Sequence, residues 1–379
     1  MRIRFLAKDL ERAIRAVNRA ISGKLSNPIL GGIGMETLDN AVRFTATNYE
    51  LLIRCTVEGE IIEPGRVLVG GKLLYELISK MPDRDIELST TEKNMLRVQS
   101  GKASYDITTM NIAEYPDVEP AKTEKTIRLK AADIAAIYRK VAFAAEESAL
   151  SSTVFSGVHI MAKDGVLTAA ATNKNRLSRL TCPFETEVDA EIIVAPKVLA
   201  EVAILTEPED DLEMAFSGSK IVFQTASLYL ESRVLTGQYP DVNRVIPGQD
   251  SLISHLTIKR DDLFKAIERL SLVGMIRMKD CVLNDVKMDV AKDTLRISAA
   301  SQEKGMAVEE LPIKLEGSDM SICFNGSQLV DYLRTVDSEH ITFHLSGFNR
   351  VAAVTSDDES SLIYVVAPVV RAMPVREAG

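Results

Sequence analysis

The chain has 379 residues, with 45 Lys or Arg against 54 Asp or Glu, a formal charge of −9 at pH 7. At 46% apolar and 26% charged residues, with no low-complexity stretch, the composition excludes a disordered chain. Its longest nearly unbroken apolar run, Leu362–Val370, is half of what a membrane-spanning helix needs.

Length predicts two or three domains. The acid excess, taken as a sum, argues against a nucleic-acid partner. Charges at Lys8, Asp9, Glu11 and Arg12 interrupt the N-terminus before an apolar signal core could form, so a soluble, cytoplasmic protein with no membrane partner is expected. Cys55, Cys182, Cys281 and Cys323 are widely spaced and form no CxxC, which favours reduced, incidental thiols over a zinc site or disulfide framework. Trp is absent and aromatics are sparse, which removes the obvious stacking platforms for single-stranded nucleic acid.

In chain order, Phe5-Leu-Ala-Lys-Asp9-Leu10 leads into a first helix. Leu10, Ala13, Ile14, Val17 and Ile21 keep the three- and four-residue spacing of a buried stripe, while Lys8, Arg12, Arg15 and Arg19 share the solvent face. Two strands follow, Ala41–Ala46 and Leu51–Val57, the first entered through an Asp39-Asn40 turn. A second helix runs from Lys72 to Lys80 and ends at Pro82. The Pro- and Asp-containing stretch Ala113–Pro120 reads as a linker.

The same order then recurs. Leu129-Lys-Ala-Ala-Asp133-Ile134 opens a helix carrying Arg139 and Lys140, and Asp164-Gly165 marks a hairpin turn. Lys197–Leu205 is the next helix, and strands Ile221–Thr225 and Leu228–Val234 lead to a linker over Tyr239–Asp250. A third copy opens at Ile258-Lys-Arg-Asp-Asp262-Leu263. Its first helix carries Lys259, Arg260, Lys265 and Arg269, and its second, Gln328–Val336, carries Arg334. Asp9, Asp133 and Asp262 are 124 and 129 residues apart, Asn48 and Asn173 are 125 apart, and the two Tyr-Pro-Asp-Val blocks at Tyr115 and Tyr239 are 124 apart. The third copy lacks that last block.

A repeat this long is a whole domain rather than a solenoid unit. Three domains are expected, residues 1–120, 121–248 and 249–379, each an α+β layer with two helices packed on one face of an antiparallel sheet. The cations Lys72, Lys80, Lys197 and Arg334 on the second helices add to those on the first. Charge is therefore expected to be segregated, with basic helix faces and the acid surplus on strands and loops.

Catalytic patterns are missing. Gly70-Gly71-Lys72 lacks the remainder of a phosphate loop, and neither GxSxG nor HExxH occurs. His340 and His344 share one face of a predicted strand, where a metal pair is the alternative to ordinary strand side chains. Acidic pairs lie in turns, with nothing to raise one pKa selectively. No enzyme, metal or cofactor is expected.

The repeat, the paired Tyr-Pro-Asp-Val blocks, Ala171-Thr172-Asn173-Lys174-Asn175-Arg176-Leu177, the Lys24…Asn27-Pro28-Ile29-Leu30 stretch and the ending Tyr364-Val365-Val366-Ala367-Pro368 resemble, in order and spacing, the bacterial sliding clamps. These are the beta subunits of DNA polymerase III, and the resemblance covers all 379 residues. It implies a DNA clamp fold and a head-to-tail homodimer, two chains of three domains closing a ring of six. Double-stranded DNA would be encircled without sequence preference, and the ring would act as a non-catalytic processivity factor. The helix cations Lys8, Arg12, Arg15, Arg19, Lys72, Lys80, Arg139, Lys140, Lys197, Lys265, Arg269 and Arg334 would face phosphates across the hole, and Lys24 matches a basic loop residue of the family.

The resemblance further implies a cleft that takes peptides from the replicative DNA polymerase alpha subunit, the clamp loader and other proteins with clamp-binding motifs. Its matching positions are Phe155, Thr172, Arg176, Leu177, Pro240, Arg244, Val245, Val365, Val366 and Pro368, with Arg176 and Arg244 at the rim. Leu272 and Val273 match one side of the family's dimer interface and Tyr105 the other; ordinary core packing is their alternative role. Phe155 stands where leucine is common, Lys174-Asn175 replaces the frequent Gly-His, and the tail Arg371–Gly379 runs past the usual ending. Without the resemblance, the repeats suit a cytosolic protein-interaction scaffold that does not encircle DNA.

Overall fold

A computed structural model of the chain describes residues 1–21, 27–82, 85–122, 125–147, 153–184, 188–277 and 282–370. Lys24, Cys281 and the tail 371–379 lie outside the described residues. The chain divides into two compact units, residues 1–135 with 184–190 and 197–234, and residues 136–183 with 191–196 and 235–379.

In the first unit, helix α1 (Ala7–Asn18) leaves the strand Arg2–Leu6 without a loop. Its buried Ala7, Leu10, Ala13, Ile14, Ala16 and Val17 pack on strands Ala41–Thr47 and Leu51–Glu58, as the apolar spacing predicts. Helix α2 (Gly71–Ile78) lies beside α1. A Cβ at Gly71 would stand 2.3 Å from Cδ1 of Ile21, just beyond α1, so that side chain would have to shift. Thirteen antiparallel strands form one sheet. Strand Leu228–Arg233 pairs with Leu51–Glu58, Leu230 opposite Ile53, so strands of the first and second repeats share it. Helix α4 (Pro196–Leu205) belongs to this unit, and helix α3 (Ala131–Lys140) begins in it.

The linker is fastened across this junction. Buried Glu231 accepts from the Tyr229 hydroxyl at 2.6 Å, the Ala121 N–H at 3.0 Å and the Lys220 ammonium. Tyr115 donates to the Gly32 carbonyl at 3.2 Å, laying the linker on the sheet face away from α1.

The second unit holds a nine-stranded and a four-stranded antiparallel sheet. In the larger, Arg176–Pro183 pairs with Glu359–Val366, Leu177 opposite Val365. Position 176 follows position 51 by the repeat spacing of 125, so this junction uses the strand equivalent to Leu51–Glu58. The smaller sheet runs Gly305–Pro312, Thr294–Ser301, Asp285–Ala291, Met320–Asn325, with helices α5 (Arg260–Gly274) and α6 (Gly326–Leu333).

The recurring Asp holds the same place in three helices, and at Asp133 it caps the helix. Asp9, Asp133 and Asp262 are each the third residue of α1, α3 and α5. Asp133 Oδ2 accepts the N–H of Lys130, just before its helix, at 3.0 Å. A carboxylate there satisfies an orphan amide and complements the helix dipole.

One expectation changes. The last helix ends at Leu333, not Val336, because Thr335 turns the chain by bonding the Tyr332 carbonyl through both N–H and Oγ1 at 2.8 Å; Arg334 is therefore the cap residue. His344 is not half of a metal pair with His340. Its Nδ1 lies 2.9 Å from His255 Nδ1 and its Nε2 2.8 Å from Thr355 Oγ1, whereas His340 stands opposite Lys259.

Candidate functional site

Strands Val166–Thr172 and Arg176–Pro183 are joined by the tight turn Asn173-Lys174-Asn175. Lys174 takes φ 75°, a conformation costly for a residue with a Cβ. The turn holds it there. Thr172 Oγ1 accepts the Lys174 N–H at 3.1 Å and donates to the Arg176 carbonyl at 2.6 Å, and Asn173 Oδ1 accepts from the N–H groups of Asn175 and Arg176 at 3.1 and 3.0 Å. Lys174 Nζ then sits 5.0 Å above the Phe155 ring.

Beside this turn, Pro240 leads into the short 3-10 helix Val242–Val245, capped by Asp241, whose Oδ1 accepts the Asn243 N–H at 3.1 Å. Tyr239 anchors the crossing. Its hydroxyl accepts the Thr172 N–H at 3.1 Å, its ring stacks on His159 at 4.8 Å, and burial pushes its phenol up to about 12, so it stays neutral.

Together these elements enclose a cleft of about 280 Å³. Leu177, Val242 and Val365 form its floor, Phe155, Pro240, Val245 and Val351 its walls, and Thr172, Lys174, Asn175 and Asp241 its polar edge. The Val245 side chain is half exposed, as an unfilled apolar wall would be. Such a site can bury a few apolar side chains while its edge meets a peptide backbone. Among the described residues, no three His, Cys, Asp or Glu side chains converge as a metal site.

The cleft brings together Phe155, Thr172, Leu177, Pro240, Val245 and Val365 and leaves out others. Strand alternation decides this. Leu177 and Val365 face the cleft, so their neighbours Arg176 and Val366, opposite each other in register, point the other way. Val366 is fully buried there and forms no cleft wall. Arg176 borders the cleft, but its guanidinium is not a rim ligand. The residue is 6% exposed, bonds Asp331 on α6 at 2.5 Å, donates to the Phe143 carbonyl and lies 5.4 Å from that ring. Arg244 is exposed and paired with Asp241 at 3.4 Å, and neither it nor Pro368 lines the cleft.

Lys174, Asn175, Asp241, Val242, Val351 and Ala367 also line the cleft and lie outside the set expected from the sequence. Ala367 was legible, two residues beyond Val365 on one strand direction. Val351 follows a loop and carried no such signal.

A contrast in stability follows. Arg176→Ala should lower unfolding free energy by roughly 2 kcal/mol, less than for a fully buried pair because the Asp331 side chain is 38% exposed. Arg244→Ala should stay within about 0.5 kcal/mol. Urea denaturation of the two variants checks the ordering.

The cationic helix faces are less uniform than the sequence suggests. In the first unit Lys8, Arg12, Arg15, Lys72, Lys80 and Lys197 are exposed. Arg19, however, holds Glu201 of α4 through Nε and Nη2, and Arg12 lies 3.9 Å from Glu207. In the second unit Lys265 is exposed, Arg139 pairs with Asp337 at 3.3 Å, Arg269 grips Glu309 at 2.6 and 2.9 Å, and Arg334 meets Glu268 at 3.1 Å. The acids are thus not confined to strands and loops; Glu201 and Glu268 sit on helices among the cations. Lys140 departs from the expected phosphate-facing set. Its ammonium is 2.6 Å from both Glu359 oxygens and its side chain is only 12% exposed, so it ties α3 to the Glu359–Val366 strand.

Leu272 and Tyr105 are 74% and 46% exposed, which rules out core packing for both; Val273 is partly buried.

Residues 1–119, 128–241 and 243–370 match the N-terminal, central and C-terminal domains of the DNA polymerase III beta subunit family. The beta sliding clamp of Staphylococcus epidermidis is 26% identical over 362 residues, which is 93% of this chain and 94% of that protein. The Streptococcus pyogenes DNA polymerase beta subunit aligns with a TM-score of 0.91 at 26% identity, covering 98% of this chain and 100% of that one. The Pseudomonas aeruginosa sliding clamp gives 0.92 at 22% identity and the same coverage, a likeness of fold. Matched in three consecutive parts along nearly its whole length, the chain has the three-domain clamp fold and belongs to the DNA polymerase III beta subunit family.

Proposed function

We propose that the protein is a non-catalytic, cytoplasmic processivity clamp. Two chains close head to tail around duplex DNA, and the Leu177–Val365 cleft tethers the replicative polymerase alpha subunit, the clamp loader and other proteins carrying a clamp-binding peptide. The domains would be residues 1–120, 121–248 and 249–379.

The observation that carries this reading is the repeated junction. Leu51–Glu58 pairs with Leu228–Arg233, and the equivalent Arg176–Pro183 pairs with Glu359–Val366. Among the described residues, the third equivalent strand, Gly305–Pro312, has a neighbour on one side only. Strand Ala103–Met110, which holds in the first repeat the place of Leu228–Arg233 in the second, pairs along Ala103–Thr108 with Met95–Ser100 alone. Among the described residues, one free edge of each of these two kinds suits a heterologous contact that closes after two copies. Leu272 and Val273 lie at the end of the helix packed on the first edge, and Tyr105 lies on the second. Free strand edges need such covering to avoid aggregation.

The exposed helix cations would meet phosphates through screened attraction, strong enough to hold DNA centrally and weak enough to slide. Reversing Arg12 and Arg15, both exposed, should weaken binding to nicked circular DNA and lower the slope of log K against log salt by about 2, with the fold intact. An unchanged slope would remove α1 from the DNA-facing surface.

A further inference from the structure

A second charged site lies on the sheet face opposite the helices. Arg43 of Ala41–Thr47, Arg54 of Leu51–Glu58 and Arg66 of Arg66–Gly70 project there, while their neighbours Val42, Phe44, Ile53 and Cys55 are buried toward α1. In register, Glu36 stands between Arg43 and Arg66, and Thr45 between Gly34 and Arg54. The Tyr115 ring packs over Gly34, 3.7 Å from where a Cβ would stand. The linker crosses above it through Tyr115, Asp117 and Val118 and closes a cleft of about 400 Å³.

The charges in this cleft are not balanced. Three guanidiniums meet two carboxylates, and Glu36 is already held by Arg43 at 2.5 Å. Arg66 has no carboxylate partner among the described residues. Arg54 donates to the Val118 carbonyl and lies 5.7 Å from the Tyr229 ring, but its Nε is buried with no acceptor. Burial first, and the positive Arg43 second, hold the Arg54 guanidinium below its ordinary pKa. A buried N–H without a partner and unneutralised like charges are both relieved by an incoming anion with several acceptor oxygens.

We propose that this arginine cleft binds a phosphate group. Three guanidiniums lining one cleft suit three oxygens of one tetrahedral anion, whereas a carboxylate offers two. The site stands apart from the helix cations and does not rest on the DNA reading.

Equilibrium dialysis of the full chain against inorganic phosphate, with chloride at matched ionic strength, should show one saturable site per chain. Arg43→Gln with Arg66→Gln should weaken it at least tenfold. Arg66→Gln alone, at an exposed side chain, should weaken it without any question of folding. The chain with Arg12→Glu and Arg15→Glu should keep the site, which separates it from the DNA surface. Phenyl phosphate in a parallel arm binding more tightly would assign the site to a phosphomonoester, and equal binding would assign it to free phosphate; either supports the proposal. Absence of saturable phosphate binding, or binding unchanged in both arginine variants, would overturn it.

Discussion

A chain carrying Leu272→Glu and Met306→Glu is expected to sediment at the mass of one 41.6 kDa chain at micromolar concentration, where the parent sediments at twice that mass. Leu272 is 74% and Met306 67% exposed in the single chain, so neither substitution disturbs a core. Met306 lies on the free strand Gly305–Pro312, and Leu272 is on the helix packed against it. In a closed ring both would be covered, and burying two unpaired carboxylates there should weaken association by roughly a thousandfold or more. The reciprocal Tyr105→Glu should act in the same direction, because a head-to-tail contact uses one surface from each end. An intact dimer in both variants would place self-association elsewhere.

The second large effect concerns the cleft. Leu177→Ala with Val245→Ala should weaken a fluorescent peptide taken from the polymerase alpha subunit by on the order of a hundredfold, at roughly 0.8 kcal/mol for each methylene no longer covered. Leu177 is 2% exposed, so its truncation also costs stability, whereas Val245 is half exposed and should cost little. The solution mass and the melting transition of the same variant separate lost binding from lost fold. A variant that still dimerises yet fails to bind the peptide supports the assignment. Full-strength peptide binding by a folded double variant would remove this cleft as the tether.

Local chemistry made much of the fold legible. Asp9, Asp133 and Asp262 recur because each opens a helix from its third position, a constraint written within four residues. The buried stripe of α1 and the turn at Asp164-Gly165, with φ 50° and 74°, are equally local. Within the cleft, Leu177, Val365 and Pro240 follow from motif position. Period-two alternation along the strand would already have turned Arg176 and Val366 away from it.

What sequence could not supply is the long-range pairing of charge. Arg19 meets Glu201 across 182 residues and Lys140 meets Glu359 across 219, and no spacing rule anticipates either contact. The same holds for the convergence of Arg43, Arg54 and Arg66, which are unremarkable singly and meaningful only once their strands share one sheet, with Gly32–Thr37 between two of them.

Encirclement is tested most directly by topology. The protein is loaded onto nicked circular duplex by a clamp loader with ATP, freed of unbound chains by gel filtration, and the circle is then cut once. A closed ring should remain on the intact circle and run off the linear product. Equal retention on circle and line would contradict encirclement and point to a protein scaffold that merely adheres to DNA.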